Sequence, residues 1–145
     1  MKSFLFPLQK ALDLRTRQLE LEEVCYKKHL AEVAELDRKR AEVEASGMRA
    51  EVQVRSWSPV GAGDLTALGN FRLRARKLEE QIRLRKVEAV KQMEEQFQVM
   101  LEARRRCRLL EKLKGRRLEE WTAARDHELE EIAAESYLSR WSREE

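Results

Sequence analysis

Residues 56–65 read SWSPVGAGDL. Pro59 is one of only two prolines in the chain, and Gly61 and Gly63 are two of only five glycines. Charged, helix-favouring stretches flank this cluster on both sides. It is either a linker between two domains or the turn of one folded-back element. Ser58-Pro59 is a turn-initiating dipeptide, Gly61-Ala62-Gly63 permits left-handed backbone, and Asp64 suits the N-cap of a following helix.

The stretch before the cluster carries a helical period. Steps of three and four from Leu5 meet Leu8, Leu12, Arg15, Leu19, Glu22, Tyr26, His29, Val33, Leu36, Arg40 and Val43. Most of these are apolar, which is a heptad seam of the coiled-coil kind. Polar members such as Glu22 and Arg40 weaken the seam and are candidates for fixing its register. The spacing predicts helix one over about 3–55, with Ser3 as N-cap, Pro7 in the first turn and Gly47 as a loosening point.

After the cluster, helix two is predicted over about 64–141, interrupted only by Gly69 and Gly115. Its stripe runs through Ala75, Leu78, Ile82, Val90, Met93, Phe97, Met100, Cys107, Leu110 and Leu113. Lys86 falls between Ile82 and Val90, so the steps there are four and four, a departure from a pure heptad that implies a local change in supercoil. If the chain folds back once, partners across the pair have residue numbers of constant total. Leu5 with Leu113, Leu8 with Leu110, Leu36 with Ile82 and Val43 with Ala75 all give 118, while Leu12 with Cys107, Leu19 with Met100, Tyr26 with Met93 and His29 with Val90 give 119. Half of 118 is the position of Pro59. The expected fold is all-α: two long helices forming an antiparallel coiled-coil hairpin over 1–145, turning at about 56–63, with the second helix longer.

Composition agrees. Charged residues make up 39% and aromatics 6% of the 145 residues, a bias that suits long helices better than a compact globule. Whole-chain disorder would need low hydrophobicity and high net charge, but 30 Lys and Arg nearly balance 27 Asp and Glu. The apolar start at Phe4, Leu5, Phe6 and Leu8 is ended by Lys10 and Asp13, too early for a signal peptide, and no apolar run has the length to span a bilayer. Cys25 and Cys107 lack metal or redox spacing and lie on the order of 18 Å out of register in the hairpin. A cytosolic protein with free thiols is expected.

The hairpin leaves an excess. Residues 116–145 overhang helix one, about 45 Å if fully helical. They carry Leu118, Trp121, Leu129, Ile132, Tyr137 and Trp141, a stripe that wants a docking partner or a second copy, or else frays at its last turns. Charge is one-sided as well. Arg104–Arg117 holds eight basic residues against Glu111, and Leu118–Glu135 holds seven acidic residues against Arg125. A further basic group, Arg72, Arg74, Arg76, Lys77, Arg83, Arg85 and Lys86, follows the turn. Such blocks steer a helical protein toward oppositely charged partners.

No catalytic constellation stands out. His127-Glu128 begins like a zinc-peptidase helix, but Glu131 occupies the place of the second histidine. His29 reads as a packed seam residue. The Gly61-Ala62-Gly63 cluster completes neither a dinucleotide fingerprint nor a phosphate loop. No enzyme activity, cofactor or metal is expected. RRRCRLLEKLKGRR has the charge of a basic region, but an acidic helix follows it where a zipper would be needed, so no nucleic-acid partner is expected.

Three stretches together, FPLQKALDLRTRQLELEE, GDLTALGNFRLRARKLEEQI and EARRRCRLLEKLKGRRLEEW, resemble the FliJ family, the stalk proteins of the flagellar type III export ATPase. The resemblance covers nearly the whole chain. It implies a two-helix coiled coil whose paired termini enter a hexameric export ATPase and promote its assembly and activity. It also implies contact with a membrane export-gate protein, binding of export chaperones, and a cytoplasmic place peripheral to the inner membrane at the flagellar basal body. The basic block at the terminal end makes Arg104, Arg105, Arg108, Arg116 and Arg117, with Leu118 and Trp121, the expected ATPase contacts. Leu78, Gln81 and Arg85 fall where the family's gate-contacting face runs. Arg74 departs from that pattern, and Phe71 supplies the aromatic instead. The stalk of virulence type III secretion is similar in architecture. A generic coiled-coil scaffold or holdase chaperone is the rival from another class.

Overall fold

The computed structural model describes residues 2–57 and 59–143. Ser58, half of the expected turn-initiating dipeptide, and the last two residues of the expected overhang lie outside the described residues. Two helices, α1 (Gln9–Ser56) and α2 (Ala62–Trp141), pack against each other as an antiparallel pair, and the second is longer. Contacts sort the chain into two units, Met1–Glu20 with Glu102–Glu145, and Leu21–Leu101.

Helix α1 begins later than its period suggests. The N–H of Gln9 bonds the carbonyl of Phe6 at 3.1 Å, and the N–H of Leu12 bonds that of Leu8 at 2.9 Å. Leu8, not Ser3, is therefore the residue whose carbonyl accepts the first helical bond, and Pro7 lies just outside the helix. This moves Leu5 and Leu8 off the expected seam: they are 82% and 43% exposed, and Phe6 is buried in their place. From Leu12 the expectation holds. Every seam position through Leu36 is at least half-buried, and after exposed Arg40 the series continues through Val43, Gly47, Ala50 and Val54. Arg40 pairs along its own helix with Glu44 at 3.4 Å, so it does not set the register. Gly47 does not interrupt the helix.

The turn is short. The N–H of Trp57 bonds the carbonyl of Val54 at 3.2 Å, and Ser56 Oγ donates to the carbonyl of Gln53 at 2.6 Å, closing α1. Gly61 caps α2: its carbonyl accepts the N–H groups of Asp64 and Leu65. Asp64 is thus the third helical residue rather than the N-cap. Its carboxylate reaches back to the N–H of Gly61 at 3.0 Å, the return half of a capping box, at the positive end of the helix dipole. No glycine adopts left-handed backbone; the space that Gly61 leaves is used by Asp64, whose oxygen would lie 3.3 Å from an added Cβ.

The seam of α2 is more regular than its apolar residues suggest. Ile82, Lys86, Ala89, Met93, Gln96, Met100, Ala103, Cys107, Leu110 and Lys114 alternate steps of four and three, and each is buried or half-buried. The expected irregularity at Lys86 disappears, because Ala89 rather than Val90 is the buried member. Leu78, expected on the stripe, is 45% exposed.

In the unit Leu21–Leu101, the rings of Tyr26 and Phe97 pack with centroids 5.3 Å apart, tilted by 43°, Lys86 meets Asp37 at 2.6 Å, and Arg72 meets Glu51 at 2.7 Å. The residue numbers of each of these pairs total 123, against the 118 or 119 expected. The Gln96 amide, which donates to Glu22 of the opposite helix, keeps 118. Side chains on both helices lean toward their own N-termini, so a spot on either surface is covered by a residue about one position further on. Totals for touching side chains therefore exceed the backbone total, more so for long residues such as Lys86 and Arg72.

Candidate partner-binding surfaces

In the unit that joins the two chain ends, Phe6, Leu12 and Cys107 are buried together, with Phe4, Leu19, Leu110 and Leu113 packed around them. Thr16 Oγ1 bonds the carbonyl of Leu12 at 2.9 Å and lies 3.5 Å from Cys107 Sγ. The non-helical N-terminal segment folds over α2. The indole Nε1 of Trp121 donates to the carbonyl of Lys2 at 3.2 Å, and the rings of Phe4 and Trp121 lie 6.1 Å apart, tilted by 55°. The Arg125 guanidinium sits 5.3 Å from the Trp121 ring. An open, largely apolar groove of about 810 Å³ runs here between Leu5, Leu8, Leu113, Arg117 and Trp121.

This clasp corrects one expectation. Trp121 is half-buried against the N-terminal segment rather than standing in a bare overhang. Uncovered helix starts further on: from Leu129 every described residue is exposed, including Leu129 at 56% and Ile132 at 53%. α2 runs through Gly115 without a break.

The five arginines expected at an ATPase surface do not share one face. Arg105, Arg108 and Arg116 point to solvent, and Arg104 is half-buried. Arg117 borders the groove and pairs with Glu120 at 3.1 Å. Leu118 is 43% exposed. In the other unit, Phe71, Leu78, Gln81 and Arg85 are all exposed and recur at helical spacing, forming one outward stripe early in α2. Trp57, beside the turn, is 44% exposed and enters no ring contact among the described residues.

His29 is half-buried on the seam with Nδ1 lacking a hydrogen-bond partner among the described residues, 3.7 Å from Glu32. Cys25 is exposed and Cys107 buried, and both are free thiols. Among the described residues no cluster of His, Cys, Asp and Glu could hold a metal, and no helix is long and apolar enough to cross a membrane.

Sequence reasoning missed Ala89 and Ala103, both buried, and the Lys2–Trp121 clasp. A strict heptad count from Ile82 that admits small and polar residues finds the two alanines. No local signal marks the clasp, since it joins segments far apart in the chain. No protein-family model, no curated protein and no solved structure matches this chain.

Proposed function

We propose that the chain is a non-catalytic stalk and coupling protein of a type III export apparatus, of the flagellar kind. In this reading its terminal end binds and activates a hexameric export ATPase, the stripe Phe71, Leu78, Gln81 and Arg85 meets a membrane export-gate protein, and the helix pair also escorts export chaperones. It works in the cytoplasm, peripheral to the inner membrane. The observation that carries this is the terminal end itself: exposed Arg105, Arg108 and Arg116 stand on α2 beside the Phe6–Leu12–Cys107 core. A helix pair with a basic collar suits insertion among acidic loops of a ring, and the sequence resemblance to the FliJ family supplies the ring's identity.

The test is ATP hydrolysis and ring assembly by the cognate export ATPase with and without the full chain. The chain should stimulate both. A triple variant, Arg105→Glu, Arg108→Glu and Arg116→Glu, should lose most of the stimulation while remaining helical by circular dichroism. Unchanged stimulation by the helical triple variant would sink the assignment of these arginines, and no stimulation by the native chain would sink the stalk reading. A scaffold or holdase role draws support from exposed Leu129 and Ile132. It predicts capture of unfolded clients with no effect on the ATPase.

A further inference from the structure

The unit that joins the chain ends contains two oppositely charged blocks on one continuous helix. Arg104–Arg117 has eight basic residues against one acidic, and Leu118–Glu135 has seven acidic against one basic. Because α2 is unbroken from Ala62 to Trp141, the blocks cannot fold onto each other within one chain. On the side of α2 opposite buried Cys107, the residues Arg105, Leu109, Lys112 and Arg116 recur at steps of four, three and four, and Glu119, Ala123, Asp126 and Glu130 continue the same face at the same steps. All are exposed, Leu109 at 59%. Arg105, Lys112, Arg116, Glu119 and Glu130 enter no ion pair among the described residues.

We propose that this face is a self-association surface on which α2 of a second copy lies antiparallel. A two-fold axis near residues 117–118 then sets Arg105 of each copy against Glu130 of the other, and Arg116 against Glu119, every pair occurring twice. Lys112 lies over the small Ala123, and Leu109 lies over Asp126, which is paired with its own neighbour Arg125 at 2.9 Å. The pairing spans about 38 Å of helix from Arg105 to Glu130. A parallel pair would set like charge on like and is repelled. A nucleic acid or anionic surface suits the basic half and is repelled by the acidic half. A second copy supplies both signs in the reverse order, by symmetry. The interface is mostly charged, so the association is weak and sensitive to salt. The face shares Arg105 and Arg116 with the proposed ATPase surface, so the two contacts exclude each other in space, but the test below uses the chain alone and its failure is distinct from failure of the stalk reading.

The experiment is sedimentation of the full-length chain over a concentration series at low and high salt. A monomer–dimer equilibrium is expected, with a dissociation constant rising by roughly tenfold or more between about 0.05 M and 0.5 M salt as the Debye length shortens. Arg105→Glu should weaken the dimer by about tenfold, and so should Glu130→Arg, while the double variant restores it. Within one chain these two residues are too far apart to touch, so rescue reports a contact between copies. Circular dichroism of each variant separates loss of pairing from loss of helix. A chain that stays monomeric at low salt, a dimer indifferent to salt, or failure of the double variant to recover while fully helical would each overturn the proposal.

Discussion

Lys86 Nζ on α2 lies 2.6 Å from Asp37 Oδ1 on α1, although Lys86 occupies a seam position between buried Ile82 and buried Ala89. The lysine lays its aliphatic stem along the seam and carries its charge to the rim. Both side chains are more than a third exposed, so the pair contributes at most about 1 kcal/mol. Asp37→Ala should therefore cost under about 1 kcal/mol in urea denaturation. Lys86→Leu should instead stabilise by about 1 kcal/mol, the value of partly burying a leucine. A destabilised Lys86→Leu variant would show that the ion pair, and not the stem, dominates at this position.

Much of the hairpin was legible in the chain because a heptad seam needs only period. The α1 series from Leu12 to Leu36 is read directly from spacing, and the one Pro/Gly cluster marks the turn. The α2 seam was read less well, because Lys86, Ala89, Gln96 and Ala103 are not large and apolar. Lys86 and Gln96 earn their seam places by meeting Asp37 and Glu22 across the pair, partners that one strand of sequence does not reveal. The start of α1 was misread because Leu5 and Leu8 keep the period past the point where Pro7 ends the helix. At the candidate surfaces, charge blocks were visible, but which arginines face outward depends on where the N-terminal segment lies.

Phe6 anchors the N-terminal segment, being 8% exposed in the core with Leu12 and Cys107. Phe6→Ala should destabilise by about 3 kcal/mol, the usual result of emptying a buried aromatic site. Trp121→Ala removes the ring against Phe4 and the bond to the Lys2 carbonyl. It should cost about 1–2 kcal/mol, since Trp121 is only half-buried. Both variants should also make residues 2–8 more open to protease. Equal protease resistance in Trp121→Ala and the native chain would show that the clasp does not hold the segment.

Gly115 lies in the interior of α2, with open space where a Cβ would stand. Gly115→Ala should stabilise the helix by about 0.5–1 kcal/mol, because glycine loses more backbone freedom on folding and alanine meets no neighbour. The same holds for Gly69→Ala. Being far apart, the two gains should add in thermal melts.

At the turn, Asp64 and Gly61 form a reciprocal cap: the Gly61 N–H reaches the Asp64 carboxylate, and the Asp64 N–H reaches the Gly61 carbonyl at 3.1 Å. Asp64→Ala should cost about 0.5–1.5 kcal/mol by freeing one end of the cap and removing an anion from the helix N-terminus. Asp64→Asn keeps an acceptor and loses the charge, so it should fall between. Amide hydrogen exchange at Gly61 should quicken in the alanine variant and much less in the asparagine one.

Acid should loosen the helices at identifiable points. The Arg38 guanidinium donates to Glu35 at 2.9 and 2.6 Å and holds its carboxyl below the usual value of 4.5. Arg83 does the same for Glu80, with bonds of 3.0 and 2.5 Å. A carboxyl with a lowered folded-state pKa contributes stability that is present above the unfolded value and lost as pH falls through the folded one. Stability should therefore be flat from neutral pH to about 5 and decline below about 4.5 as these acids take up protons. All four side chains are exposed, so each contribution is small, and added salt should shrink it. A variant with Glu35→Gln and Glu80→Gln should start slightly less stable at neutral pH and lose less on acidification than the native chain. Parallel acid titrations of the two proteins would refute the assignment to these pairs.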